Sequence, residues 1–312
     1  MFEAKQRLAE TGGQIDVFDA LASLDIIVMF RPLDGLLGAY LRGSPPGVLI
    51  STKRQPSVQR FTGAHELGHA ILQHEPSIDT PDVLRRAALG EKGKGTEKFS
   101  AFLQEVEADA FAGDFLLPHW LLAHHASKNT WSGSDFRDAS IVYQLALRCG
   151  ASFDATTRAL ERNRVIDRKV GAQLRDIKPK HLKSEIKRVH AWADPWSDTW
   201  LFTSSDAGQR INSTVGDLVE FRLREHSAGG YRWHLDQNPA FVTLSDETSP
   251  SELVGGIGER ILTLRCEEST SKPIVFEERR PWEAQGDILK FDIRAEPREE
   301  GLARANRVRA WS

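Results

Sequence analysis

Along the first fifty residues the apolar positions come in short runs, at 26–30, 36–41 and 48–50, separated by Pro, Gly and Asp. Runs of that length between turn formers predict small strands, and residues 17–24 ahead of them read as the end of a helix. At residue 57 the period changes. Val58, Phe61, Leu67, Ala70 and Ile71 recur at helical spacing, with Ser57 placed to cap the first turn. Residues 76–98 are polar and Gly-rich, which predicts a surface loop. A second strong helix is expected over 99–117, ended by Pro118, and a third over 135–148, stopped at Gly150. Ser152 or Asp154 caps the next, to about Arg162. That helix–Gly–helix pattern suits helix-turn-helix packing.

After about residue 190 helical periodicity disappears. Alternating runs at 218–223, 231–235, 261–266, 274–277 and 288–293 are punctuated by Gly, Asn, Asp or Pro. They predict an all-β domain, a sandwich or a barrel. The pattern as a whole is α+β, with a small sheet leading into a long helix, a helical middle and a β domain at the end. Six of the eight tryptophans fall from Trp192 onward, so the composition changes at the same place.

Charge sharpens one region. The chain carries a net −3, yet residues 158–190 hold eleven Lys/Arg against four Asp/Glu. Such a stretch can meet phosphates, but no base-reading pattern accompanies it, so a solvated helical surface is the preferred reading and DNA binding the lesser one. Cys149 and Cys266 make no disulfide framework and suit a reducing compartment. The polar N-terminus has no apolar signal region, and the apolar runs are too short to span a bilayer. The expectation is a cytoplasmic protein with no membrane association.

The helix predicted from residue 57 carries the chemistry. His65 and His69 lie one turn apart and share a face, so both imidazoles can reach one ion, with Glu66 beside the open side as general base. A catalytic zinc needs a third protein ligand. The best candidate is Glu105 on the next helix, with Asp109 one turn on to hold a histidine N–H and fix its tautomer. Glu107 is the rival ligand. It lies about 200° round the helix from Glu105, so the two cannot both serve, and a solvated face is the reading preferred for it. His74 and His119 read as surface or pocket residues rather than ligands. An oxyanion donor is also wanted, for which Tyr40 and His119 are candidates, and a strand within 36–50 can pair with an extended substrate.

These residues resemble the ImmA/IrrE metallopeptidases, whose H-E-x-x-H is followed by E-x-x-A-[N/D]-x-F-A-x-x-[L/F]-L-x-P. Here the places are filled by His65, Glu66, His69, Glu105, Ala108, Asp109, Phe111, Ala112, Phe115, Leu116 and Pro118. The resemblance covers about residues 15–185. It implies a zincin-like domain, Zn2+ on His65, His69 and Glu105, and site-specific cleavage of helix-turn-helix repressors under stress. The long Gly/Lys loop between the two helices departs from the pattern and is a candidate lid.

Three segments of the C-terminal region join Gly or Pro to an aromatic contact: Gly230-Tyr231-Arg232-Trp233, Gly256-Ile257-Gly258 and Arg280-Pro281-Trp282. Gly allows close backbone approach and Trp supplies a large rigid surface. The plain alternative is ordinary turns with Trp233 and Trp282 in the core. Their order resembles the loops N-P-T-T-G-Y-x-W, G-x-G-G and R-P-W of chagasin-type inhibitors of papain-like peptidases, which are immunoglobulin-like β domains. Glu259 replaces the last glycine of the second loop, and residues 226–229 replace N-P-T-T. The resemblance covers about residues 205–296 and implies a partner-binding or inhibitory β domain.

The expected organisation is a metalloprotease domain over 1–125, a basic helical segment over 126–190 and the β domain over 191–312. The leading function is a regulatory zinc endopeptidase. The alternatives are a chagasin-like inhibitor or binding protein, or a DNA-binding regulator, with a non-proteolytic metal domain.

Overall fold

The computed structural model describes residues 11–74, 78–79, 96–186, 197–236, 238–249, 251 and 256–296. Residues 80–95 of the candidate lid and the tail after Pro297 lie outside the described residues, while Ile78 and Asp79 of the expected loop form a short strand and the next helix begins at Thr96, not 99. In chain order the elements are α1 (Val17–Ala22), β1 (Ile27–Arg31), β2 (Gly38–Leu41), β3 (Gly47–Ser51), α2 (Pro56–Ile71), β4 (Ile78–Asp79), α3 (Thr96–Leu116), α4 (His119–Lys128), α5 (Ala139–Cys149), α6 (Phe153–Arg162), α7 (Arg168–Arg175) and α8 (Pro179–Ile186). Eight strands follow: β5 (Thr199–Phe202), β6 (Arg210–Thr214), β7 (Leu218–Glu225), β8 (Arg232–Asp236), β9 (Phe241–Ser249), β10 (Gly258–Cys266), β11 (Ile274–Arg279) and β12 (Asp287–Glu296). The α+β composition with an all-β C-terminal region is as expected.

The described residues form two compact units. One draws on 14–123 and 149–167, the other on 11–13, 124–148 and 168–296.

In the first unit the sheet order is β1-β3-β2-β4. β1 runs parallel to β3, while β2 is antiparallel to both β3 and β4. α1 starts where the Asp16 carboxylate accepts from the Phe18 and Asp19 amides, at 3.0 and 3.1 Å. The cap of α2 corrects the sequence reading. Gln55 is the N-cap and Pro56 opens the helix, so Ser57 lies inside the first turn. Proline is preset for that position, because its fixed φ is helical and its missing N–H has no partner there anyway. From Gln59 to His69 α2 is buried on nearly every side, unlike the one-sided burial of a surface helix. The Arg60 guanidinium donates to the Ile15 and Gly150 carbonyls, tying the helix to two loops.

The expected helix over 135–148 is two elements, a 3-10 turn at Asp135–Arg137 and then α5. Asp138 is extended between them, and its carboxylate accepts from the Ser140 amide at 2.7 Å.

The second unit holds two four-stranded sheets, ordered β5-β7-β10-β9 and β6-β12-β11-β8. Phe202, Phe221, Phe276, Phe291 and Trp233 fill the core with ring centroids 4.8–6.4 Å apart, the spacing of edge-to-face aromatic packing. α5 attaches here by polar contacts. Arg148 donates to the Leu201 carbonyl at 2.9 Å and pairs with Asp206 at 2.8 Å, both side chains being buried. Asp206→Ala therefore leaves a buried guanidinium without its counter-ion, which costs about 3–5 kcal/mol. Urea unfolding of the variant is expected to show a lowered midpoint, and an unchanged midpoint contradicts this account of the attachment.

Candidate metal centre

The centre is built by two helices that come very close. A Cβ placed on Gly68 would sit 3.1 Å from the Phe111 ring and 3.2 Å from the Ala108 Cα. The small, fully buried Ala108 lies at that approach. The close approach brings Glu105 and Asp109 of α3 to the histidines of α2.

His65 Nε2 lies 2.9 Å from His69 Nε2 and 3.2 Å from Glu105 Oε2. His69 Nε2 lies 3.7 Å from Glu105 Oε1. All three residues are buried, and their donor atoms fall within 4.8 Å of one another. His65 Nδ1 donates to Asp109 Oδ1 at 2.8 Å, and in the neutral ring this turns the Nε2 lone pair toward the cluster. Burial first, then the neighbouring His65, pull the His69 pKa from its usual 6.5 down to about 4. Glu105 opposes that shift and His74 adds to it. A metal-ligating imidazole must be neutral, and His69 is held neutral. Two imidazoles and a carboxylate, dry and converging, are a donor set for a first-row divalent cation, so the residues fit a metal.

Glu66 is fully buried. Facing it is Gly38 of β2, a residue the sequence reading passed over. A Cβ there would collide with Thr62 Cγ2, lie 2.8 Å from the Leu49 carbonyl oxygen and reach 3.0 Å from Glu66 Oε1. A glycine inside a strand is itself a signal of close approach. Tyr40, two residues on, is buried and shares that face of the sheet. The outer edge of β2 is paired with β4 at Gly38 and Ala39.

His119 opens α4 as an exposed side chain. His74 is buried, with Nδ1 3.0 Å from His69 Nδ1 and Nε2 3.1 Å from Glu107 Oε2. The Glu107 carboxylate is largely exposed yet holds this contact, so a purely solvated face does not describe it. Sequence spacing hid the pair, because His74 lies beyond the end of α2 and reaches back.

Two stretches of the chain match known families. Residues 21–161 match the IrrE N-terminal-like domain, a metallopeptidase family, and residues 212–295 match the chagasin family of peptidase inhibitors. The chain carries both domains. Both resemblances drawn from its motifs agree with these matches. "Uncharacterized immunity region protein 2" of Bacillus phage phi105 is 34% identical over 83 residues, which is 27% of this chain and 44% of the phage protein. The chain thus spans less than half the length of that relative. Among solved structures, the cysteine protease inhibitor EhICP2 from Entamoeba histolytica is 20% identical with a TM-score of 0.30, covering 32% of this chain and 96% of that one. Amebosin is 18% identical with a TM-score of 0.27, covering 32% and 97%. No helix among the described residues is long and apolar enough to cross a membrane.

In the chagasin-family domain the motif residues divide. Trp233 is in the core, its Nε1 donating to the Arg224 carbonyl at 2.9 Å. Trp282 is 74% exposed. The Arg280 guanidinium lies 4.4 Å from the Tyr231 ring centroid and 5.9 Å from that of Trp282, and its Nε donates to the Gly229 carbonyl at 2.8 Å. Arg280 thereby joins the first and third loops. Residues 227–229 form a 3-10 turn, and Gly230 follows at φ +82, a left-handed conformation that favours glycine. The buried Glu278 accepts from the His226 amide at 2.7 Å. Pro281 lies between Arg280 and Trp282; Gly256 precedes β10, and Gly258 is its first residue, paired with Glu225 of β7.

Gly38→Ala is expected to destabilise the protein by about 1–3 kcal/mol, the cost of forcing a methyl into packed space, and to displace the Glu66 carboxylate. Urea titration reads the first effect and a crystal structure of the variant the second. An unperturbed Glu66 in that structure overturns the proposed contact.

Proposed function

We propose that the chain is a regulatory zinc endopeptidase. The carrying observation is the convergence of His65, His69 and Glu105, with Asp109 fixing the tautomer of His65. Zinc bonds to nitrogen and oxygen are about 2.0–2.2 Å long, so a tetrahedral ion separates its ligand atoms by about 3.3 Å. The two imidazole Nε2 atoms are 2.9 Å apart, and the Glu105 carboxylate approaches them through Oε2 at 3.2 Å from His65 and through Oε1 at 3.7 Å from His69, separations of the same order.

In this reading His65, His69 and Glu105 hold the ion. When bound, zinc supplies Lewis-acid polarisation of water and of the scissile carbonyl. Glu66 takes the water's proton and returns it to the leaving amine. Tyr40, on the face of β2 shared with Gly38, is the better placed oxyanion candidate, since His119 is exposed at the start of α4. The zincin-like domain occupies residues 1–125, and residues 126–190 form a helix-turn-helix-like basic segment. The substrate class is a helix-turn-helix repressor-type protein in the cytoplasm, during a stress response. The similarity to a phage immunity-region protein supports a regulatory target.

The β domain over 191–312 is proposed to capture a partner through Tyr231, Arg280, Pro281 and Trp282, beside Gly230, Gly256 and Gly258. Trp233 supports that surface from the core. The exposed Trp282 and the chagasin-family match also favour a second reading, inhibition of a papain-like cysteine peptidase. DNA binding by residues 158–190 is the weaker alternative, resting on charge alone.

Purified protein is expected to bind one zinc per chain and to generate new N-termini in a cell extract. Glu66→Gln should keep the zinc and lose the cleavage, while His65→Ala should lose the zinc. Equal cleavage by Glu66→Gln sinks the role given to Glu66. In a papain assay, nanomolar inhibition that Trp282→Ala weakens at least tenfold supports the inhibitor reading. Absence of inhibition leaves the β domain a recruitment module.

A further inference from the structure

His69 is held from behind by a residue that the ligand motif does not contain. α2 ends in a reversed turn. The Leu72 amide donates to the Gly68 carbonyl at 2.9 Å, and the His74 amide to the His69 carbonyl at 3.0 Å. Gln73 adopts φ +56 to make the reversal, a left-handed conformation common just past helix ends. Arg42 fixes the turn by donating to the Gln73 and His74 carbonyls at 3.0 and 3.2 Å. The His74 ring thus packs edge-on against His69, with centroids 4.9 Å apart.

We infer that His74 and Glu107 are positioning residues that orient His69 and fix which of its nitrogens carries the proton. This rests on the metal reading above. The assignment runs inward from the carboxylate. A carboxylate only accepts, so of the two His74 tautomers the one that suits Glu107 donates Nε2–H across 3.1 Å. His74 Nδ1 is then a lone pair, and it accepts from His69 Nδ1–H across 3.0 Å. His69 is left with a lone pair on Nε2, which faces the His65 Nε2 lone pair at 2.9 Å. Two facing lone pairs repel without a cation between them. The opposite order, with His74 Nδ1–H donating, would aim a lone pair of His74 at the Glu107 carboxylate. Glu107 therefore selects the proton order that makes His69 a ligand, as Asp109 does for His65.

Metal-binding histidines lose about 10–100-fold in affinity when an outer partner is removed. His74→Phe keeps an aromatic ring of similar size without an acceptor and is expected to weaken Zn2+ binding by that factor, measured by competition with a chromophoric chelator. His74→Gln is expected to recover most of the affinity, because its amide oxygen accepts from His69 and its amide nitrogen donates to Glu107. Glu107→Ala should weaken binding less than His74→Phe, and the double variant should bind no worse than His74→Phe alone, since both act along one chain of bonds. Nitrogen-15 shifts of the zinc-loaded protein should report His69 as the Nδ1–H tautomer. Melting of the metal-free forms separates a loss of folding from a loss of affinity. If His74→Phe binds zinc within twofold of the parent while Asp109→Ala loses tenfold, the relay is wrong and the metal reading stands. If the parent binds no zinc, both fail.

Discussion

Everything at the candidate centre depends on how closely α2 and α3 approach. The histidines sit on one helix and the carboxylates on the other, so donor separations near 3 Å require the backbones to nearly touch. Gly68 makes that possible, because any side chain there would meet Phe111 and Ala108 at 3.1–3.2 Å. The glycine between Glu66 and His69 is thus structural in a motif usually read for its chemistry. Ala108 repeats the device on the partner helix. Large residues at these positions would separate the helices, and a ligand set tolerates little separation. Burying Glu66 and both histidines is costly by itself, and the Asp109 contact at 2.8 Å and the His74 contact at 3.0 Å offset part of that cost.

The same geometry explains what was legible in the sequence. His65 and His69 are one turn apart on one helix, as are Glu105 and Asp109, and an i, i+4 rule needs no tertiary information. Glu107 fell outside that rule because it lies on another side of α3. It reaches the centre only because Gln73 reverses the chain and returns His74 to the cluster. A left-handed glutamine after a helix leaves little trace in sequence. The strand β2 was expected, yet its glycine gained meaning only when α2 was seen to pack on it. In the β domain the alternating runs foretold β7, β8, β10, β11 and β12. β9 is mostly exposed along its length and β6 carries Arg210, Asn212 and Ser213, so neither shows the period-two apolar pattern on which strand prediction depends. The 3-10 turn ahead of α5 was merged with it, since an extended Asp138 is invisible to periodicity.

The chagasin-family domain shows how a motif can mix two kinds of residue. Trp233 and Trp282 have the same chemistry and both lie in loop signatures, yet one fills the core and the other faces solvent. Backbone position separates them, because Trp233 is on β8 and points inward whereas Trp282 follows Pro281 past the end of β11. Buried carboxylates then set the loop end. Glu225 accepts from the Trp233 amide at 3.1 Å, and Glu278 from the His226 amide at 2.7 Å. A buried carboxylate is stable only with such donors, so these glutamates hold loop backbones where a neutral side chain would bind them less firmly. Arg280, stacked on Tyr231 and bonded to Gly229, adds a rigid bridge between loops. Rigid loops lose little entropy on binding, which is the property a docking surface needs.

An extended substrate adds to a sheet by pairing with an unfilled edge. The edge of β2 is the one beside Glu66, and β4 already pairs with it at Gly38 and Ala39. On the protease reading, a substrate strand pairs with the part of β2 that β4 leaves open among the described residues, Tyr40 and Leu41, or displaces β4. A short ladder gains few hydrogen bonds against the entropy of ordering, and two pairs join β4 to β2 among the described residues. The competition therefore favours a substrate that brings other contacts with it. A protease whose edge is partly filled cleaves loose peptides poorly and folded partners well, when those partners are held elsewhere on the chain. On the protease reading, contacts made elsewhere on the chain are what let a substrate compete for that edge.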